Sequence, residues 1–86
     1  MIAIRGATTI SADTPEDIRG AVKELLIEIK SANGLEIENI VCIMLSSTAD
    51  ITSFYPAKAA REAGFGGCPL FSSLEPPIEG ALKLCI

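Results

Sequence analysis

The stretch between Thr14 and Gly34 constrains the fold of this chain more than any other, because it carries the signals of a complete helix. Thr14 suits the N-cap, Pro15 suits the first helical position, and Asn33 with Gly34 suits a left-handed C-terminal cap. The apolar residues between them recur at helical spacing: Ile18, Val22, Leu25, Leu26, Ile29 and Ala32. The pattern predicts a helix over residues 15–32, with one apolar and one charged face.

Two apolar runs after this helix predict strands. Residues 40–45 form a continuous apolar run, which is typical of a strand covered on both faces. Residues 70–75 are bounded by prolines and predict a further strand. Between the two runs, Pro56 opens a short helix that extends to Ala63 and stops at Gly64.

The two ends of the chain predict further extended structure. Ile2 and Ile4 alternate with small or charged residues, which predicts a strand over the first ten residues. Residues 81–86 begin another element, either strand or helix. Strands and helices therefore alternate as β-α-β-α-β with a final piece. We expect a single domain, residues 1–86, of the α+β class, with a mixed β-sheet and helices packed on it.

The composition favours a chain that associates with other subunits. Of its 86 residues, 49% are apolar and 21% are charged, and a chain this short buries a smaller share of its surface than a longer one. We therefore expect another subunit to cover part of the apolar surface. The net charge of -4 argues against nucleic acid and acidic membrane surfaces as partners. No apolar stretch reaches the ~18 residues that a membrane span requires.

The cysteines argue against two kinds of site. Cys42, Cys68 and Cys85 form no CxxC pair and the chain has no histidine, so zinc sites and Cys-His nucleophile pairs are not expected. Cys42 lies in an apolar run, where a thiol acts as a small core residue. Arg5 interrupts the apolar start, so we expect no signal peptide. Together these features predict a reduced, cytoplasmic protein.

Four charged residues could serve a site, and each has a structural alternative. Arg5 is either an edge arginine or an anion-binding arginine beside Gly6, where a ligand could approach the backbone. Lys58 and Arg61 are three residues apart and share one helix face, which can be an ordinary solvated face. Glu75 ends a strand just before two prolines, where solvent-facing acids are common. The residues alone leave these alternatives open.

Three sequence blocks, in one order and at similar spacings, carry a resemblance to a known family. They are Ile4-Arg5-Gly6-Ala7-Thr8-Thr9, then Phe54-Tyr55-Pro56-Ala57-Lys58-Ala59-Ala60-Arg61-Glu62, and then Glu75 followed by Gly80 and Leu82-Lys83-Leu84-Cys85-Ile86. Over essentially its whole length the chain resembles the small barrel-type chorismate mutases, as distinct from the all-helical class. The resemblance implies a homotrimer with a pseudo-α/β-barrel arrangement and an active site at each subunit interface.

The resemblance also implies roles for individual residues. Arg5 is similar to the arginine that grips a substrate carboxylate, and Glu75 to the acid that accepts a hydrogen bond from the ring hydroxyl of the substrate. Lys58 and Arg61 resemble basic residues at the mouth of the site, contributed by the neighbouring subunit. Tyr55 stands where a phenylalanine usually lines that mouth, and it keeps the aromatic surface.

The sequence departs from the family pattern at several positions. Ser72 stands where a cysteine is usual, and its hydroxyl can still form a hydrogen bond to substrate. Phe71 replaces a usual threonine, and Pro76-Pro77 replaces a Met-Asp pair. The family has an arginine directly after its Cys-Ile pair, whereas this sequence ends at Cys85-Ile86. Because that arginine is the cation near the breaking ether oxygen, we expect the chain as written to turn over less efficiently.

The implied function is that of an isomerase, a chorismate mutase that converts chorismate to prephenate in the shikimate pathway to phenylalanine and tyrosine. This intramolecular Claisen rearrangement requires no cofactor, metal, nucleophile or general base, which agrees with the lack of histidine. The main alternative is a catalytically weak or inactive trimeric ligand-binding relative that keeps the Arg5 pocket. A third is an interface-building domain without a ligand. An assay of chorismate loss distinguishes the first two.

Overall fold

The longest element is the predicted helix, and its bounds are confirmed. The computed structural model describes residues 1–86, and helix α1 runs Pro15–Ala32. The hydroxyl of Thr14 accepts a hydrogen bond from the backbone N–H of Asp17 at 3.2 Å, which satisfies one free donor of the first turn. Gly34 follows the helix with a φ of 60°, the left-handed conformation that ends many helices.

Two strands form a parallel pair that is joined by the second helix. β1 (Ile43–Ser47) and β2 (Leu70–Leu74) pair with Ile43 opposite Leu70. A parallel pair needs a long crossover, and α2 (Pro56–Ala60) provides it. The helix was predicted to run regularly to Ala63. It widens instead into a π-type turn, Arg61–Phe65, in which Gly64 has a φ of 98°.

The segments 8–10 and 84–86 pair with each other next to the end of β1. Thr8 and Ile86 exchange two backbone hydrogen bonds of 2.9 Å, and the N–H of Thr48 donates to the carbonyl of Cys85 at 3.0 Å. The bridge between Thr9 and Cys85 is antiparallel and lies outside the parallel pair of β1 and β2, so the chain contains both kinds of pairing. The predicted strand over residues 1–10 is wrong in extent, because no backbone hydrogen bond links residues 1–7 to another segment.

The core lies where the two helices meet the sheet. α1 contributes Ile18, Val22 and Leu26, which are all buried. α2 presents three buried alanines, Ala57, Ala59 and Ala60. Side chains this small let two helices approach closely. Leu45 of β1 and Phe65 complete the packing. Outside the core, Arg19 and Glu62 join α1 to the end of the crossover through an ion pair of 2.9 Å.

One face of the strand pair stays open in the single chain. Leu45 is buried, but Met44 is 74% exposed and its neighbour Phe71 is 60% exposed. The prediction that residues 40–45 are covered on both faces therefore fails within one chain, because the helices pack on only one of them. Cys42, expected in the core, is exposed for the same reason. None of the helices combines the length and apolar content of a membrane span.

Helix α1 offers a matched test of this packing. Ile18 is fully buried, whereas Ile27 on the same helix is 47% exposed. We expect Ile18→Ala to lower the free energy of unfolding by about 2–5 kcal/mol, because it removes buried atoms and leaves a cavity. Ile27→Ala should cost clearly less, and denaturant unfolding measures both. Equal losses from the two variants would contradict this assignment of the core.

Candidate active site

An open cleft of about 450 Å³ lies between the start of α2 and β2. Its lining consists of Tyr55, Ala57, Lys58, Arg61, Leu70 and Ser72. Four of these residues were predicted to bind substrate from the sequence, and the fold brings them together. Because the loop Gly66-Gly67 and Pro69 return the chain from α2 to β2, residues distant in sequence border one cavity.

The cleft carries two cations without partners in the chain. Lys58 and Arg61 lie three residues apart, so they project from the same side of the helix. Neither forms an ion pair, since the chain's single salt bridge joins Arg19 to Glu62. The ammonium of Lys58 lies 5.5 Å from the centre of the Phe54 ring, within range of a cation–π interaction. Two unpaired cations suit a ligand that carries carboxylate groups.

Glu75 is held at the end of β2 and does not line the cleft. Its backbone N–H donates to the carbonyl of Ser47 at 2.9 Å, which continues the ladder one residue beyond Leu74. The hydroxyl of Ser46 donates to Oε1 of Glu75 at 2.5 Å. The carboxylate has no basic partner in the chain, so its other oxygen can accept a further hydrogen bond.

Arg5 also stands apart from the cleft. It is exposed and forms no ion pair within the chain. Its neighbour Gly6 faces α1, because a Cβ built there would lie 3.1 Å from Cδ1 of Leu25 and 3.2 Å from Cδ1 of Ile29. Gly6 therefore lets the first residues pass close to the helix, and the predicted approach of a ligand to its backbone stays a prediction.

Two carboxylates that no sequence pattern indicated, Asp13 and Asp50, hold separate segments in place, and Asp13 holds the loop before α2. Asp13 accepts hydrogen bonds from the backbone N–H and the hydroxyl of both Thr52 and Ser53. These bonds attach the loop that leads to Tyr55 to the start of α1. The signal for this contact was weak, because aspartate in a turn normally bonds within its own turn.

Asp50 performs the equivalent task for the chain's last residues. Both of its oxygens accept from the backbone N–H of Leu84, at 3.1 and 3.0 Å. The hydroxyl of Thr48 accepts from the N–H of Cys85 at 3.0 Å. Together they attach residues 84–86 to the end of β1, and those residues in turn pair with Thr8.

The family model described as chorismate mutase type I matches residues 1–86. The chain belongs to this family. Chorismate mutase AroH of Thermus thermophilus is 44% identical over 84 residues, covering 96% of this chain and 69% of the relative. Chorismate mutase AroH of Bacillus subtilis is 42% identical over 84 residues, covering 96% of this chain and 66% of the relative. The chain thus spans about two thirds of the length of these two relatives.

A solved structure of a chorismate mutase from Clostridium thermocellum has the same fold. It superposes with a TM-score of 0.94 at 38% sequence identity, covering 99% of this chain and 76% of that one. The family resemblance and the α+β class are therefore confirmed. Membership of this chorismate mutase family supports chorismate mutase function, with chorismate as the substrate that the family implies. The roles of Arg5, Glu75 and the cleft residues stay predictions.

The pKa values of Asp13 and Asp50 allow a prediction of how the stability of the chain responds to acid. The pKa of Asp13 is lowered from its ordinary value of 3.8, chiefly because the hydroxyl of Thr52 donates to the ionised form. The pKa of Asp50 is lowered chiefly by the hydroxyl of Thr48. Because the pKa of each carboxyl group is lower in the folded chain, the same group in the unfolded chain binds its proton at a higher pH. The stabilisation is therefore complete above the unfolded pKa and is lost as pH falls through the folded one.

We expect the free energy of unfolding to decrease as the pH is lowered below about 5. In Asp13→Asn this decrease with pH should be less steep than in the wild-type protein. The asparagine keeps an acceptor but cannot be protonated, so one proton-linked contribution disappears. Denaturant titrations at a series of pH values measure the slope. Glu28→Gln, on the exposed face of α1, is the control. A wild-type slope in Asp13→Asn would contradict this role for Asp13.

Proposed function

We propose that the chain rearranges chorismate to prephenate in aromatic amino-acid biosynthesis, at sites that two copies of the chain build together. The observation that carries this proposal is the cleft with two unpaired cations, Lys58 and Arg61, on a chain of net charge -4. A local basic site set against the overall charge is what a dianionic substrate requires. The aromatic side of the cleft, Tyr55, suits the ring of such a substrate.

The chemistry explains why positioned charges are sufficient. In the rearrangement one C–O bond breaks and one C–C bond forms within a single molecule, so no group is transferred to the protein. The protein must hold the compact reactive conformer and stabilise negative charge that develops on the ether oxygen. Fixed cationic donors do both, and guanidinium groups do so best because they stay charged and are planar.

The proposed roles follow from what each side chain can donate or accept. Arg5 binds a substrate carboxylate with two parallel hydrogen bonds. Glu75 accepts a hydrogen bond from the ring hydroxyl through its free oxygen. Lys58 and Arg61 bind the substrate anion at the mouth. The hydroxyl of Ser72, which lines the cleft, supplies a further hydrogen bond.

The proposed assembly is a homotrimer with its sites between subunits. Two observations support association. Arg5 and Glu75 do not line the cleft of their own chain, so a neighbour is needed to bring them to Lys58 and Arg61. Many large apolar side chains are also exposed in the single chain, among them Met1, Ile2, Val41, Met44, Phe71, Leu74, Ile78 and Leu82. Burying such side chains between copies is strongly favourable.

We also propose that the protein works in the cytoplasm. The three cysteines are all free, which agrees with a reducing compartment.

Arg5→Ala tests the carboxylate-binding role. We expect kcat/KM for chorismate to fall by about 10²–10³-fold or more, since one preorganised donor is lost. The melting temperature should stay nearly unchanged, because the side chain is exposed. Arg5→Lys should also be poor, because an ammonium cannot reproduce the two-pronged geometry.

Lys23→Ala is the control for Arg5→Ala, since it removes an exposed cation of α1 that forms no ion pair. Equal losses of activity and of thermal stability in Arg5→Ala would favour a structural role and overturn the assignment.

Light scattering tests the assembly. We expect the mass of a trimer at micromolar concentration, and a smaller species for Phe71→Glu, because a buried unpaired charge would oppose association. Lys23→Glu changes charge elsewhere and should keep the wild-type mass. A wild-type chain that is monomeric under these conditions yet active would contradict shared sites.

A further inference from the structure

The carboxylate of Glu75 is oriented by one side chain. The hydroxyl of Ser46 donates to its Oε1, while the backbone of Glu75 is tied to Ser47. Neither Arg19 nor any other cation pairs with Glu75, since the chain's single salt bridge uses Glu62. The side chain is exposed, and the bond from Ser46 is its one side-chain hydrogen bond within the chain.

The register of the strands explains why Ser46 can reach Glu75. Ser46 of β1 lies opposite Ser73 of β2. Glu75 follows Ser73 by two residues, and side chains two residues apart along a strand share a face. The backbone bond from Glu75 to Ser47 keeps this geometry beyond the last residue of β2. Ser46 therefore contacts the carboxylate from the neighbouring strand on that face.

We propose that Ser46 is a positioning residue for Glu75, an inference that rests on the proposed role of Glu75 toward the substrate hydroxyl. An ionised carboxylate only accepts hydrogen bonds. With Oε1 engaged by Ser46, Oε2 is the oxygen presented to the substrate. The bond from Ser46 also restricts the rotamers of Glu75 before substrate binds. The conformational entropy of this side chain is therefore not lost during binding or reaction.

Two neighbouring serines provide matched controls. Ser47 holds Glu75 only through its backbone carbonyl, so Ser47→Ala keeps that bond. Ser73 lies directly across from Ser46, and its hydroxyl forms no side-chain hydrogen bond with Glu75, whose partner is Ser46. Ser46→Thr keeps a hydroxyl at the same position and should retain most of the activity.

The test is a double-mutant cycle on kcat and KM for chorismate. It compares the wild-type protein with Ser46→Ala, Glu75→Ala and the double variant. We expect Ser46→Ala to lower kcat/KM by about ten- to a hundredfold, in line with losing one hydrogen bond to a charged group. The same change should have no further effect in the Glu75→Ala background. Ser47→Ala and Ser73→Ala should stay near wild type, and all single variants should melt alike.

The outcomes separate this inference from the proposed function. If Glu75→Ala leaves kcat/KM unchanged, the role of Glu75 is wrong and the positioning of it has no catalytic meaning. A second outcome is that Glu75→Ala is impaired, but Ser46→Ala either has no effect or lowers kcat/KM equally with and without Glu75. In that case Ser46 is not a positioning residue, and Glu75 keeps its proposed role.

If the Glu75→Ala variant is too inactive for its kcat/KM to be measured, a crystal structure of Ser46→Ala decides. A single unchanged orientation of Glu75 there overturns the inference, and several orientations support it.

Discussion

The hydrogen bonds at the carboxyl end of β1 are the interaction on which the rest of the structure depends. On one side, the carbonyl of Ser47 accepts from Glu75. On the other, the backbone N–H of Thr48 donates to Cys85, and the carboxylate of Asp50 accepts from Leu84. The chain therefore has partners on both sides just where β1 ends. This end of β1 connects the acid after β2 with the segment that pairs with the start of the chain.

The contact with Asp50 matters because the residue it holds is strained. Leu84 has a φ of 50°, the only positive φ among the non-glycine residues. Such a conformation costs a residue with a side chain about 1–2 kcal/mol. Two carboxylate oxygens on its N–H favour that conformation, and the next residue bonds to Thr48 in both directions. The position of Arg5 depends on this arrangement indirectly. Arg5 lies three residues before Thr8, and Thr8 pairs with the segment 84–86.

The correct predictions from the sequence concern interactions within a single segment of the chain. The bounds of α1 were correct because its caps and apolar face lie within one segment, and the grouping of Lys58 and Arg61 follows from helix spacing alone. The wrong predictions concern features that depend on contacts between segments distant in sequence. Alternation at Ile2 and Ile4 predicted a strand, but a strand needs a neighbour to bond to, and the chain offers none to residues 1–7. The exposure of Cys42 likewise depends on how many faces of the sheet the helices cover. The role of Asp13 depends on a loop some forty residues away.

The separation of charges within the chain has a consequence for binding. Arg5, Lys58 and Arg61 stay unpaired, and so does Glu75, although opposite charges on long side chains pair readily when they lie within reach. If Glu75 lined the same cleft as the two cations, an internal ion pair would compete with the substrate for both partners. Keeping the acid on the open side of the sheet and the cations on α2 avoids that competition. In the proposed assembly the substrate lies between the acid of one copy and the cations of another. The substrate, with its own carboxylates and hydroxyl, can then satisfy both sets of groups at once.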